Sequence, residues 1–204
     1  MRSSQEVLLG SLEDRWMFTL TTERLVLRDF TAADEGAVHQ YASDAAVCRY
    51  VDWGPNTPAV TRAFLADAAL EAALVERRTF TLAITSKADG AVIGSVAVWE
   101  VSAAHRRAEL GFVVNPKFQG RGYASEAGRA VLEFAFARFG AQRVQATCRP
   151  ENSASASVLT KIGMEEEGRM RAHMMIRGTA VDSLLFAATR PAAVQPEITS
   201  SHFA

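Results

Sequence analysis

Residues 119–125 read Gln119-Gly120-Arg121-Gly122-Tyr123-Ala124-Ser125, between a β-type alternation ending at Val114 and a helical pattern over 122–138. At about 100° per residue, Ala124, Ala127, Val131, Phe134 and Ala135 form one apolar face of that helix, and Leu132 and Phe136 bury a second. Only Glu126, Arg129 and Glu133 leave a narrow polar strip, so the helix must be packed into the body. Its N-terminus is therefore held at a fixed place. The first four amides there lack helical partners and carry about half a positive charge from the helix dipole, which suits an anion. The glycines let the backbone approach that anion closely, and Arg121 adds charge.

The elements around this loop indicate a mixed α/β sheet. A strand over 24–28 is followed by a helix opened by Thr31, with Asp34 completing a capping-box-like pair. Thr57-Pro58 starts a second, Ala-rich helix over 59–76. Strands follow at 80–84, 92–99 and 108–114, and Asn115-Pro116 ends the last of them. Strand 142–148, helix 153–162 and strands near 168–176 and 180–188 complete the body. Strands that form a meander first and alternate with helices later exclude an all-parallel sheet. Residues 1–15 read as an N-terminal extension, 16–189 as one domain and 190–204 as a flexible tail.

The loop alone admits a simple strand-to-helix turn. A Walker loop is excluded, because GxxxxGK[ST] occurs nowhere in the chain. A Rossmann fingerprint fails on three counts: five residues separate Val114 from Gly120, Ser125 stands where the third glycine belongs, and the next strand ends without an acid. The string does resemble the pyrophosphate loop Q/R-x-x-G-x-G/A of the GNAT superfamily of acyl-CoA-dependent N-acyltransferases, at Gln119, Gly122 and Ala124. Glu109-Leu-Gly-Phe112 with Asn115-Pro116, Arg149-Pro-Glu-Asn152-Ser-Ala-Ser155, and Lys161-Ile-Gly-Met164 with Glu167-Gly168 fall in that family's order and spacing. Together they resemble the branch that includes ribosomal-protein alanine N-acetyltransferases and several small-amine acetyltransferases, over roughly residues 23–185.

The resemblance implies a single-domain GNAT-like α/β fold, its mixed central sheet splayed in the middle and covered by helices on both faces. It implies acetyl-CoA as co-substrate, its diphosphate on the amides of Gln119, Gly120, Arg121, Gly122, Tyr123, Ala124 and Ser125. The pantetheine arm would follow the backbone of Phe112, Val113 and Val114. Asn152 would hydrogen-bond coenzyme A, and Ser155 would protonate the departing thiolate. N-capping of the helix is the other role open to Asn152 and Ser155. The tyrosine that many members use as thiolate donor has no counterpart here, since Tyr41, Tyr50 and Tyr123 lie elsewhere in the sequence.

Glu109 is the candidate proton acceptor, directly or through water; it shares a strand face with Gly111 and Val113, whose small bulk leaves room beside it. Pairing with Arg106 or Arg107 is its structural alternative. His173, in a segment where some relatives carry a glutamate, is a second candidate base. Cys148 lacks a recognisable His or acid partner and reads as a small buried hydrophobe, so transfer is expected directly within a ternary complex. Trp53 and Tyr50 are candidates for the amine pocket or for the core.

The first 102 residues hold 9 Lys/Arg against 14 Asp/Glu, a balance of −5, and the remainder 13 against 9, a balance of +4. That asymmetry could separate a cationic amine from an anionic acyl carrier. A net charge of −1 argues against a nucleic-acid binder, and two cysteines with no CxxC argue against a disulfide scaffold or structural zinc. No stretch is long and apolar enough for a membrane span or a signal core, and the sparse cysteines fit a reducing cytoplasm. His39, His105 and His202 have no metal-ligand spacing, so no metal is expected. The expected reaction moves an acetyl group to a primary amine, either a protein N-terminal residue or a small amine. The alternative is a non-catalytic coenzyme A-binding module. Family likeness alone implies a homodimer.

Overall fold

The computed structural model describes residues 18–190; the extension at 1–15 and the tail from 191 lie outside the described residues. The strands are β1 (Thr19–Thr21), β2 (Leu25–Asp29), β3 (Thr79–Ser86), β4 (Val92–Ser102), β5 (Arg107–Val114), β6 (Arg143–Cys148), β7 (Glu165–Ile176) and β8 (Thr179–Thr189). The helices are α1 (Glu35–Ala42), α2 (Pro58–Ala72), α3 (Tyr123–Arg138) and α4 (Ser153–Lys161). All eight strands form one sheet in the order β1-β2-β3-β4-β5-β6-β8-β7. Neighbours are antiparallel except β5 and β6.

Alternation along β3 divides the core. Phe80, Leu82 and Ile84 face a large cluster containing Ala127 and Val131 of α3 and Leu159 of α4. Ala83 faces the opposite layer, with Val38 and Tyr41 of α1 and Leu65 of α2. Both faces of the sheet are therefore covered, as the fold class required.

Local chemistry fixes the helix starts. Thr31 and Asp34 form the expected capping box, although it opens a 3-10 turn before α1. Arg28 grips both oxygens of Asp34 at 2.8 Å. Burial opposes ionisation of Asp34, but the bonds from Arg28 and Thr31 outweigh it and hold its pKa below the usual value. Thr57 accepts from the Val60 amide at 3.3 Å, with Pro58 in the first helical position. Helix α2 ends at Ala72, short of 76, and leaves Leu74 and Val75 exposed. Strand β1 gave no sequence signal; it pairs with β2, and Phe18 just before it meets Phe80 and Phe134 at 4.8 and 5.0 Å between ring centres.

Candidate active site

Strands β5 and β6 run side by side for only three rungs: Arg107 with Arg143, Ala108 with Val144, and Glu109 with Gln145. Beyond that they part. β5 continues to Val114 paired only with β4, and β6 continues to Cys148 paired only with β8. The edge of β5 over Leu110–Val114 thus turns unpaired main-chain groups toward a gap, and such groups need partners. Gln119 reaches back to one of them, its Nε2 lying 2.8 Å from the Val114 carbonyl.

The loop expected to hold an anion lies at the surface end of this gap. Gly122 is the N-cap of α3 at φ +81°, and Gly120 has φ +75°; an L side chain at either would be strained. No side chain caps this end of α3 among the described residues, so its first-turn amides remain available. The loop is pinned from another element. Arg24 donates from Nε to Glu126 Oε2 at 2.7 Å and from Nη1 to the Arg121 carbonyl at 2.9 Å, and stacks over Tyr123 at 4.7 Å. Thr22 and the Arg24 amide complete the grip on Glu126 Oε1, at 2.6 and 2.7 Å.

A cavity of about 580 Å³ passes through the gap. Its floor is the sheet face that carries Ser95, Ala97, Trp99, Gly111 and Val113, and its roof comes from α1, α2 and the segment around Tyr50–Asn56. Of the expected residues, Phe112, Val113, Asn152 and Ser155 line it. Val114 is buried beside it, while Gln119, Gly120, Arg121, Gly122, Tyr123, Ala124 and Ser125 sit outside its lining, nearer the surface. Asn152 is the N-cap of α4, its Oδ1 accepting from the Ser155 amide at 3.1 Å, so both residues are fixed at the cavity wall.

Glu109 shares the face of Gly111 and Val113 but lies just beyond the lining, at the last rung before the strands part. Its partner is neither Arg106 nor Arg107: Gln145 Nε2 donates to its Oε2 at 3.0 Å. His173 is exposed on β7, does not line the cavity, and bonds Ser183 through Nδ1 at 3.1 Å. Cys148 does line it, but burial, together with the Glu166 charge, pushes its thiol up to about 11. A thiol that rarely ionises near neutrality is a poor nucleophile.

Sequence reasoning left Tyr41 outside the site, yet α1 carries it into the cavity lining. Burial pushes its phenol up to about 12, and the Ser95 hydroxyl beside it acts in the opposite direction. Tyr50 and Trp53 also line the cavity. Their segment is fastened by Arg177 of the β7–β8 turn, whose Nη2 donates to the carbonyls of Gly54, Cys48 and Trp53 at 2.8, 3.1 and 3.3 Å.

An open sheet with one parallel pair that diverges beside an uncapped helix N-terminus is the frame of an acyl-carrier-dependent transferase. The family model for the acetyltransferase (GNAT) domain matches residues 24–165. The uncharacterized N-acetyltransferase YnaD of Bacillus subtilis is 36% identical over 153 residues, which are 73% of this chain and 84% of that protein. The crystal structure of the acetyltransferase (GNAT family) from Bacillus anthracis shares 31% identity at a TM-score of 0.75, covering 84% of this chain and 98% of that one. Mycobacterium smegmatis RimJ in complex with CoA-disulfide shares 25% at a TM-score of 0.72, over 88% and 89%. The chain belongs to the GNAT acetyltransferase family and is an acetyl-CoA-dependent N-acetyltransferase. The alternative of a non-catalytic coenzyme A-binding module gains no support from these likenesses. Among the described residues no helix is long and apolar enough to cross a membrane.

Proposed function

We propose that the chain transfers acetyl directly from acetyl-CoA to a primary amine held in the cavity on the α1–α2 face of the sheet. The divergence of β5 from β6 carries this reading, because it opens the β5 main chain to a ligand running from the α3 N-terminus into the cavity. The amides of residues 119–125 hold the diphosphate, where the helix dipole and Arg121 favour negative charge. Phe112, Val113 and Val114 offer the pantetheine amides an unpaired strand edge.

In the transfer, the amine nitrogen forms a bond to the thioester carbonyl carbon while the C–S bond breaks toward sulfur. One proton leaves the nitrogen and one is gained by the thiolate, giving the amide and free coenzyme A. A main-chain amide of Phe112–Val114 polarises the carbonyl oxygen. Ser155, on the cavity wall, donates to the departing sulfur. Glu109 sits behind the lining and takes the amine's proton through water. The cavity lining contains no carboxylate among the described residues, so a neutral, nucleophilic amine is favoured over an ammonium. The raised pKa of the Cys148 thiol fits a ternary complex without an acetyl-enzyme.

Calorimetric titration with coenzyme A, followed by thiol release from acetyl-CoA across a panel of amines, tests this reading. Saturable binding and amine-dependent thiol release are expected. Binding without release on any amine would overturn it.

A further inference from the structure

The half of the cavity on the α1–α2 face of the sheet is walled by aromatic rings. Trp53, Phe64 and Trp99 line it, and each is only half-buried. Tyr50 joins them, with the Arg49 guanidinium 5.2 Å from its ring centre. Trp99 stands opposite Glu109 on the β4–β5 ladder, and its indole reaches toward Gly111, where a Cβ would come within 3.8 Å of Cη2. The glycine thus leaves room for a large ring beside the unpaired stretch of β5, where the thioester would lie. Rings left partly bare around one cavity keep apolar surface in water, and a flat apolar group seated among them removes it.

Free charge is missing from this wall. Arg149 is the one charged side chain in the lining among the described residues, and it is already answered: Glu151 Oε2 lies 3.2 Å from its Nη2, and Asp182 lies within reach of its charge. Main-chain acceptors are missing too. Along the Tyr50–Asn56 wall, the carbonyls of Cys48, Trp53 and Gly54 are taken by Arg177 Nη2. An extended polypeptide needs such groups to hold its backbone.

On the acetyl-transfer reading given above, we infer that the acceptor is a small arylalkylamine: one primary amine on a short, uncharged chain that carries an aromatic ring. The ring packs against Trp53, Phe64 and Trp99, and the chain sets the amine beside Gly111 at the open edge of β5. Glu109 stands two residues back on the same strand face to take the proton through water. Three other classes of amine fit this wall badly. A polyamine brings several cations to a lining without a carboxylate, and aromatic faces offset only part of the lost hydration. An amino acid brings a carboxylate with no free cation to meet it. A protein N-terminus brings peptide groups whose acceptors along this wall are already used.

The test uses the full chain at saturating acetyl-CoA, reading thiol release with 2-phenylethylamine, ethylamine, L-phenylalanine, spermidine and an alanine-initiated peptide. We expect the highest kcat/KM for phenylethylamine. Ethylamine, which lacks the ring, should be poorer by about tenfold or more. L-phenylalanine, which keeps the ring and adds a carboxylate, should also fall by about tenfold or more. Spermidine and the peptide should be poorer than phenylethylamine as well. Trp53→Ala should raise the phenylethylamine KM by about tenfold and shrink its advantage over ethylamine, with the Kd for coenzyme A unchanged. Phe64→Leu, which keeps an apolar side chain of similar reach, should raise that KM severalfold with the same Kd. Any of the other amines equal to or preferred over phenylethylamine, or a ring preference that survives both substitutions, overturns the inference. Coenzyme A binding with no thiol release on any acceptor overturns the transfer reading itself, and so is told apart.

Discussion

Gln145 Nε2 lies 3.0 Å from Glu109 Oε2 across the last rung shared by β5 and β6. The bond holds the carboxylate at the rung where the two strands begin to diverge, with one oxygen engaged and the other left for water. Glu109→Gln should lower kcat by about 10²–10⁴-fold, the usual worth of a positioned proton acceptor. The loss should be greatest below the pKa of the amine, with coenzyme A affinity retained. A pH–rate profile of the variant that overlays the parent's removes Glu109 from the proton path.

Gly122→Glu should abolish coenzyme A binding. The residue sits at φ +81° at the uncapped end of α3, and a Cβ there comes within 3.3 Å of Arg24 Nη2. A side chain brings strain, bulk and a negative charge to the place that favours an anion. Calorimetric titration of the variant, with circular dichroism as the check on folding, reads the result. Retained affinity means the diphosphate lies elsewhere.

Glu126 makes the fold sensitive to acid. Burial opposes its ionised form, but bonds from Thr22 and from the amide and guanidinium of Arg24 hold its pKa below the usual value. A carboxyl depressed in the folded state adds stability above its unfolded pKa, and that stability disappears as pH falls through the folded value. Glu126→Gln should cost about 1–3 kcal/mol at pH 7, because partners in the grip lose a charged acceptor. The difference from the parent should shrink below about pH 4. Urea unfolding at several pH values measures it, and a gap independent of pH contradicts the assignment.

Gly94→Ala should destabilise the centre of the sheet. A Cβ at Gly94 would stand 2.2 Å from the Val113 carbonyl oxygen, and that neighbour is backbone with no rotamer to change. Strand β5 must shift, at a cost of about 1–3 kcal/mol. Because Val113 belongs to the proposed pantetheine edge, the Kd for coenzyme A should rise together with the loss in thermal midpoint. An unchanged Kd separates the edge from cofactor binding.

Cys148 should resist alkylation. With a thiol at about 11, only about one in several thousand is ionised at pH 7.5. Iodoacetamide labelling followed by mass spectrometry should show slow modification that accelerates toward pH 10. Rapid labelling at neutral pH would mean that the thiol is activated and would reopen a covalent route.

Much of this architecture was legible in the chain, because its strongest signals are local. The Gln119–Ser125 string, the packed faces of α3 and the Thr57-Pro58 start depend on near neighbours, and each stands where the pattern put it. The other wall of the cavity was legible only in part: Tyr50 and Trp53 were candidates and line it, whereas Tyr41, Asn56 and Arg149 reach it from separate elements that no spacing links. Arg177 and Gly54 are 123 residues apart, and their bond depends on where a hairpin turn comes to rest. Helix α2 was overextended because Leu74 and Val75 continue its apolar run, yet Val75 is 99% exposed.

The Arg177 clasp divides the labour of the molecule in an unusual way. The strand edge and loop proposed to hold the acyl donor come from the middle of the chain, whereas the Tyr50–Asn56 part of the cavity wall comes from an early segment fastened by a turn near the far end. A change confined to that segment or its latch would reshape the wall and leave the proposed donor edge in place.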